Sequence, residues 1–272
     1  VPELPEVESV RLLLEPAMQG ARFRRVILNR PNLRIPFPAR FIERLRGTTV
    51  ASVARRGKYL TVELSSGETL IMHLGMTGWF HVAPIGDRTR EADPHDHVVF
   101  VMSSGHTVLF NDPRRFGFMD LAEADALDEY PSLRRMGPEP LSARFDADSL
   151  ARACRGKKIS LKVALLDQRI VAGLGNIYAS EALHHARLSP LRRAATIATA
   201  AGKPRPQARQ LAAAVKAVLT NAIKRRETPY RSARFRVYER EGLRCLRPGC
   251  GGTIARITQA GRSTFYCPRC QR

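Results

Sequence analysis

The sequence predicts an α+β fold in successive parts: an N-terminal helix leading into a β-sandwich, a helical C-terminal domain, and a small cysteine-bearing hairpin. Three observations carry this. Short strand-like runs with turn signals fill roughly the first 120 residues, helical periodicity takes over from about Asp146, and four cysteines close the chain. A length of 272 residues exceeds the usual single-domain size. The expected division is 1–122, a connector over 123–145, a helical domain over 146–228 and a hairpin over 235–272.

The elements follow in order. Pro5 suits the first position of a helix, where its missing N–H costs nothing. Val7, Val10, Leu13, Leu14 and Met18 then recur at helical spacing, so the helix buries one face and ends near Gly20, with Pro2 and Glu3 just before its start. Val26–Leu28, Thr49–Ala54, Tyr59–Leu64, Thr69–Leu74, His97–Met102 and His106–Phe110 read as strands, with hairpin turns at Ser65-Ser66-Gly67 and Ser103-Ser104-Gly105. Acidic and Pro-rich stretches, Glu123–Tyr130 and Met136–Leu141, form the connector. Helices are expected near Asp148–Cys154, Ile159–Asp167, Ile177–His184 and Gln207–Lys224, with a surface loop between Ala194 and Pro206. Cys154 reads as an ordinary helix residue.

Cys245, Cys250, Cys267 and Cys270 form a Cys-x4-Cys and a Cys-x2-Cys pair. Two such knuckles complete the tetrahedral sulfur shell of one structural Zn²⁺. Two disulfides would need an oxidising compartment, to which nothing else points. Between the pairs lie two short strands around a turn at Ala260-Gly261, with Arg262 at the tip, a hairpin too small for a core of its own.

Lys and Arg exceed Asp and Glu by 20. That charge calls for a polyanionic partner, most often nucleic acid, an acidic membrane surface being the alternative. Thr228–Arg272 has ten basic residues against two acidic ones, so the excess gathers on the hairpin. No apolar run reaches the length of a membrane span and no charged-then-apolar leader opens the chain, so the expectation is a soluble cytoplasmic protein.

Gly173-Leu174-Gly175-Asn176 lets the backbone turn twice between two helices, with Asn176 as a good N-cap and N–H groups that suit a phosphate. A plain helix–turn–helix corner is the alternative. Pro2-Glu3-Leu4-Pro5-Glu6-Val7-Glu8 sets three carboxylates beside a proline. Such carboxylates often only complement a helix dipole. A terminal proline, however, is a secondary amine that can attack an electrophilic carbon with a carboxyl as proton donor.

These stretches, with Gly57-Lys58-Tyr59-Leu60, His73-Leu74-Gly75-Met76, Asn111-Asp112-Pro113-Arg114-Arg115-Phe116-Gly117, Gly137-Pro138-Glu139-Pro140-Leu141 and Gly173–Glu181, resemble formamidopyrimidine-DNA glycosylases in order from residue 2 to 272. The endonuclease VIII branch shares the layout but begins Pro-Glu-Gly-Pro-Glu, so Leu4 favours the formamidopyrimidine branch.

The resemblance implies a base-excision enzyme with a catalytic β-sandwich, a helix–two-turn–helix domain and one structural zinc. It would act as a monomer on double-stranded DNA holding oxidised bases or abasic sites, in the bacterial cytoplasm and bound to the nucleoid through DNA. It would release oxidised purines such as formamidopyrimidines and 8-oxoguanine and nick the abasic site by β,δ-elimination. It implies Pro2 as nucleophile on C1′, Glu3 as proton donor to the sugar ring oxygen, Glu6 as support, and Lys58 as a phosphate-binding catalytic residue. His73 joins the DNA contacts. Met76, Arg114 and Phe116 would fill the space of the everted base, with Arg114 facing the orphaned partner, while Asn176 and Arg262 grip flanking phosphates. Read without the family, Met76 and Phe116 would be core residues.

Two departures bear on this. Val1 precedes Pro2, which a GTG start codon read literally would explain, the true methionine being removed. The segment Arg225–Phe235 is short and basic where the family carries a longer Gly- and Ser-containing loop over the everted purine. That keeps an endonuclease VIII-like enzyme for oxidised pyrimidines in view, and a retained Val1 would favour a non-catalytic damaged-DNA-binding protein.

Overall fold

A computed structural model describes residues 2–87, 89–225 and 235–272. They form two compact units, one holding Pro2 and Glu6–Arg134, the other Glu3–Pro5 and Arg135–Arg272. Val1 and nearly all of the short basic segment, residues 226–234, lie outside the described residues.

Helix α1 runs Leu4–Met18, with Pro5 in its first turn, where a missing N–H is tolerated. Val7, Val10, Leu14 and Met18 are buried as their spacing requires, but Leu13 is 36 % exposed, one helical step off the apolar stripe. Gly20, at φ 76°, takes the left-handed conformation just beyond the helix end.

The first unit holds two antiparallel four-stranded sheets. One is ordered β1-β6-β7-β5, from Phe23–Leu28, Asp96–Met102, His106–Asn111 and Trp79–Pro84. The other is ordered β2-β3-β4-β8, from Val50–Arg56, Tyr59–Leu64, Glu68–His73 and Phe118–Glu123. Both expected serine-glycine turns close hairpins, Gly67 and Gly105 each standing at φ 84°. The strands β5 and β8 and a five-residue helix α2, Phe41–Leu45, add to the expected set. One core serves both sheets and α1, built around Phe23, Phe80, Phe100 and Phe110 with Leu60, Val62, Leu70 and Met72.

The second unit is helical: α3 Ala147–Cys154, α4 Leu161–Leu166, α5 Asn176–His185 and α6 Pro206–Arg225. Asp146 begins α3 with a capping box, its Oδ1 accepting from the Ser149 N–H at 2.7 Å while its own N–H donates to Ser149 Oγ at 2.9 Å. The stretch after Ala194 is not wholly a surface loop, because Ala194 and Ile197 are fully buried in a 3₁₀ turn. Likewise the acidic connector stretch begins with a 3₁₀ turn, Ala124–Glu129.

The closing hairpin pairs β9, Ala255–Gln259, with β10, Arg262–Tyr266. Its two-residue turn is Ala260-Gly261, at φ 47° and 71°, the signature of a type I′ connection. Its core is Val237, Ile254 and Phe265 with the cysteines.

In the sandwich, Phe100 is fully buried and packs edge-on against Phe23 at 5.2 Å between ring centroids. Phe100→Ala should cost about 3–5 kcal/mol, read as a lowered urea midpoint at an unchanged slope.

Candidate active site and metal centre

The carboxylate of Glu3, 2 % exposed, lies at the start of α5. Its Oε2 accepts from the N–H of Gly175 at 2.8 Å and of Tyr178 at 3.2 Å, and its Oε1 from that of Ile177 at 2.8 Å. Glu3 thus satisfies amides that a helix N-terminus otherwise leaves without partners, and its charge complements the positive end of the helix dipole. This corrects the expected role of Asn176. Gly175 is the N-cap and Asn176 the first helical residue, because a carboxylate from far away in the sequence already serves as the cap.

Asn176 is freed for other work. Its Nδ2 donates to the Ser263 carbonyl on β10 at 2.8 Å, beside Arg262, and its Oδ1 accepts from Lys162 Nζ at 2.6 Å. Lys162 is fully buried on α4. Burial, reinforced by the Arg262 guanidinium and opposed by the Glu3 carboxylate, lowers its pKa to about 8. The sequence places Lys162 in the helix expected near Ile159–Asp167 and gives it no role. The signal was its place three residues before Leu165, on the stripe that must face inward.

The three N-terminal carboxylates divide their tasks. Glu8 pairs with Arg55 at 2.9 Å and Arg11 at 2.8 Å, an ordinary ion-pair arrangement. Glu6 is buried, as is Pro2.

In the first unit, Gly57-Lys58 forms the two-residue turn between β2 and β3, with Gly57 at φ 57°. His73 ends β4 opposite Tyr59, its ring stacked on Phe118 at 5.7 Å, and its Nδ1 accepts from the Gly75 N–H at 3.0 Å. Burial, then the charges of Lys58 and Arg34, depresses His73 to about 4, so the ring is neutral at physiological pH. Two loops meet here. A Cβ at Gly75 would collide with the backbone of Phe116 and Gly117, so only glycine allows the approach. Asp112, fully buried, accepts from Thr77 Oγ1 at 2.5 Å and from the Gly117 N–H at 2.8 Å. Met76 and the Arg114–Phe116 loop are thereby fixed side by side. The Arg114 guanidinium lies 4.7 Å over the Phe116 ring, which is 42 % exposed and is not the core residue that composition alone would make it.

The four terminal cysteines converge, every sulfur within 4.8 Å of the others. Cys245 and Cys270 are 3.9 Å apart, Cys250 and Cys267 3.6 Å, and none is in a disulfide. Tetrahedral zinc with thiolate arms near 2.3 Å has sulfur–sulfur edges of about 3.8 Å, so these residues fit one structural zinc. The Gly252 N–H draws Cys250 down to about 7, whereas burial raises Cys245 and Cys270, so the cluster favours the thiolate at one ligand and opposes it at two. Among the described residues Cys154 has no such neighbours, and burial pushes it up to about 11.

A DNA-handling protein with a zinc finger is the class that this fold and these sites define. Residues 1–119 match the formamidopyrimidine-DNA glycosylase N-terminal domain, 136–233 the H2TH domain of the same enzymes, and 242–272 the zinc finger found in FPG and IleRS. Formamidopyrimidine-DNA glycosylases of Rhodopseudomonas palustris BisA53 and Bradyrhizobium diazoefficiens are 53 % and 51 % identical, with both chains covered in full. Among solved structures, the Lactococcus lactis enzyme bound non-covalently to DNA containing an AP site superposes with a TM-score of 0.86 at 31 % identity over 100 % of both chains. The MutM (Fpg) protein of Thermus thermophilus gives 0.82 at 38 % identity over 99 % of this chain and 98 % of that one. The chain belongs to the formamidopyrimidine-DNA glycosylase family of base-excision-repair DNA glycosylases.

Lys162 supplies a pH test. Between about pH 8 and its ordinary 10.5, the native state has released the Lys162 proton while the unfolded chain keeps it. The unfolded state then binds more protons, so this group's contribution to stability rises with pH across that window. The stability of wild type minus that of Lys162→Met should therefore increase between pH 7.5 and 10 in urea titrations.

Proposed function

We propose that this chain is a bifunctional glycosylase and abasic-site lyase acting on oxidised purines in duplex DNA, as a monomer. The observation that carries it is the Glu3 carboxylate, buried and held by the amides of Gly175, Ile177 and Tyr178 at the start of α5, one residue from Pro2. A secondary amine and a fixed carboxyl on consecutive residues are the pair that iminium chemistry at a sugar carbon requires. In this reading the Pro2 nitrogen bonds to C1′ and the bond from C1′ to the base breaks, the base leaving with its electron pair. Glu3 gives a proton to the ring oxygen as the sugar opens. The iminium ion acidifies C2′–H, and loss of that proton expels the 3′ phosphate; a second elimination expels the 5′ phosphate.

The remaining residues take supporting parts. Lys58 and His73 serve the backbone phosphates, His73 as a neutral donor or acceptor, and Glu6 supports the nucleophile. Met76, Arg114 and Phe116 enter the duplex where the base is everted, a fit supported by an exposed aromatic ring beneath an arginine on glycine-locked loops. Asn176 and Arg262 bind flanking phosphates, and zinc, held by Cys245, Cys250, Cys267 and Cys270, fixes the hairpin that carries Arg262. That solved relatives of this fold are bound to AP-site DNA and to carbocyclic 8-oxo-G DNA supports the substrate class.

The nucleophile must be a free amine. Protein shown by intact mass to begin at Pro2 should form a borohydride-stable adduct with abasic DNA, mapped by peptide sequencing to Pro2. No adduct overturns the mechanism and leaves damaged-DNA binding without catalysis; an adduct mapped to a lysine overturns Pro2 as the nucleophile. Glu3→Gln should slow release of 8-oxoguanine by about 10²-fold or more, the range for loss of a general acid. Incision of a preformed abasic site should fall much less, which also shows that the variant is folded.

Lesion preference is a separate matter. The Rhodopseudomonas relative aligns over 293 positions against 272 here, so at least 21 of them, 293 less 272, have no counterpart in this chain. We read the short Arg225–Phe235 segment as the place where the sequence departs from the family pattern. Turnover on duplexes with formamidopyrimidine, 8-oxoguanine and thymine glycol should rank the two purines above the pyrimidine. The reverse order would establish the endonuclease VIII-like reading.

A further inference from the structure

We propose that His184 is a positioning residue of the zinc centre, donating its Nε2–H to the Cys245 thiolate and so tying the metal to the last turn of α5. This goes beyond the catalytic reading and does not depend on it. His184 Nε2 lies 3.3 Å from Cys245 Sγ, with His184 1 % and Cys245 8 % exposed. A zinc-bound cysteine is a thiolate and can only accept, so the imidazole proton must be on Nε2. The other tautomer would aim a lone pair at a negatively charged sulfur. It would also bury an Nδ1–H for which the described residues offer no acceptor.

A second contact makes the same join. Arg247, two residues past Cys245, donates from Nη2 to the His184 carbonyl at 2.5 Å. The first cysteine knuckle therefore holds His184 by both side chain and backbone. At the opposite end of α5, Asn176 donates to Ser263 of the hairpin at 2.8 Å. The helix rises about 12 Å between those two residues, so the hairpin is fastened at two well-separated points to the helix whose first amides hold Glu3.

Four thiolates on one Zn²⁺ leave a net charge near −2, and N–H donors to sulfur offset it and orient the ligand. A histidine that only filled space would do neither. Phenylalanine at 184 keeps the filling and removes the donor; glutamine keeps a donor near the Nε2 position and removes the ring.

The test uses the full-length zinc-loaded protein. Zinc release into excess 4-(2-pyridylazo)resorcinol should be about tenfold faster or more for His184→Phe, the size of effect that lost outer-shell partners have on metal affinity. His184→Gln should stay near wild type. In cobalt-substituted protein, the thiolate-to-metal charge-transfer band should move in His184→Phe and not in His184→Gln. ¹⁵N-histidine NMR of the unaltered protein should show the Nε2–H tautomer at His184, a readout that needs no variant to fold. Wild-type release and spectrum in His184→Phe, equal impairment in the two variants, or an Nδ1–H tautomer would each overturn the proposal.

Discussion

The carboxylate of Glu3 accepts hydrogen bonds from Gly175, Ile177 and Tyr178, more than 170 residues further along the chain. The arrangement of the second unit around α5 depends on this capture. An α-helix that begins in the interior cannot leave its first amides unpartnered, and each one so left costs about 1–3 kcal/mol. Here the cap is supplied by a carboxylate from the N-terminal segment. Leu4 reinforces it, donating its N–H to the Gly173 carbonyl at 3.1 Å. Gly173 stands at φ 79°, and any Cβ there would lie 2.6 Å from the Leu4 side chain. The glycines of this turn thus let the N-terminal segment dock. Of the turn's amides expected to suit a phosphate, that of Gly175 is already taken by Glu3.

Once α5 is placed in this way, its other side chains follow. Asn176 meets Lys162 and the hairpin at the first turn, and His184 meets the zinc ligands at the last. Between them Glu181 accepts from three successive backbone amides, Arg236, Val237 and Tyr238, and so anchors the chain where it enters the hairpin. One ten-residue helix is therefore the common support of the Glu3 carboxylate, the arginine-bearing hairpin and the cysteine cluster. That explains its weak amphipathicity: a helix bonded on all sides has no free polar face to display, and eight of its ten residues are buried.

Much of this was legible in the sequence because strong local signals agreed with the fold. The cysteine spacing, the two serine-glycine turns, the I′ turn at Ala260-Gly261 and six strands all follow from residue chemistry acting over a few positions. The elements that escaped had weak local signals. Strands β5 and β8 are the outer members of their sheets; β5 ends in Pro84, and β8 carries Asp120 and Glu123, so apolar alternation is blurred where one edge is unpaired. Helix α2 is too short to show a period. Asn176 as an N-cap was a sound local inference defeated by a partner distant in sequence, which no propensity scale contains.

The same reasoning separates the functional residues that sequence could reach from those that it could not. Cysteines in pairs announce their chemistry by spacing, as Pro2-Glu3 do through the family resemblance. Lys162 and His184 do not, because a lysine or histidine within an apolar stretch reads as helix surface. Yet burying either without a partner would cost more than an apolar residue in its place. Each persists because a specific acceptor awaits it, Asn176 Oδ1 for one and Cys245 Sγ for the other. Buried ionisable side chains in this unit therefore mark where distant parts of the chain are joined. Glu3, Lys162, Glu181 and His184 all make their joins on α5.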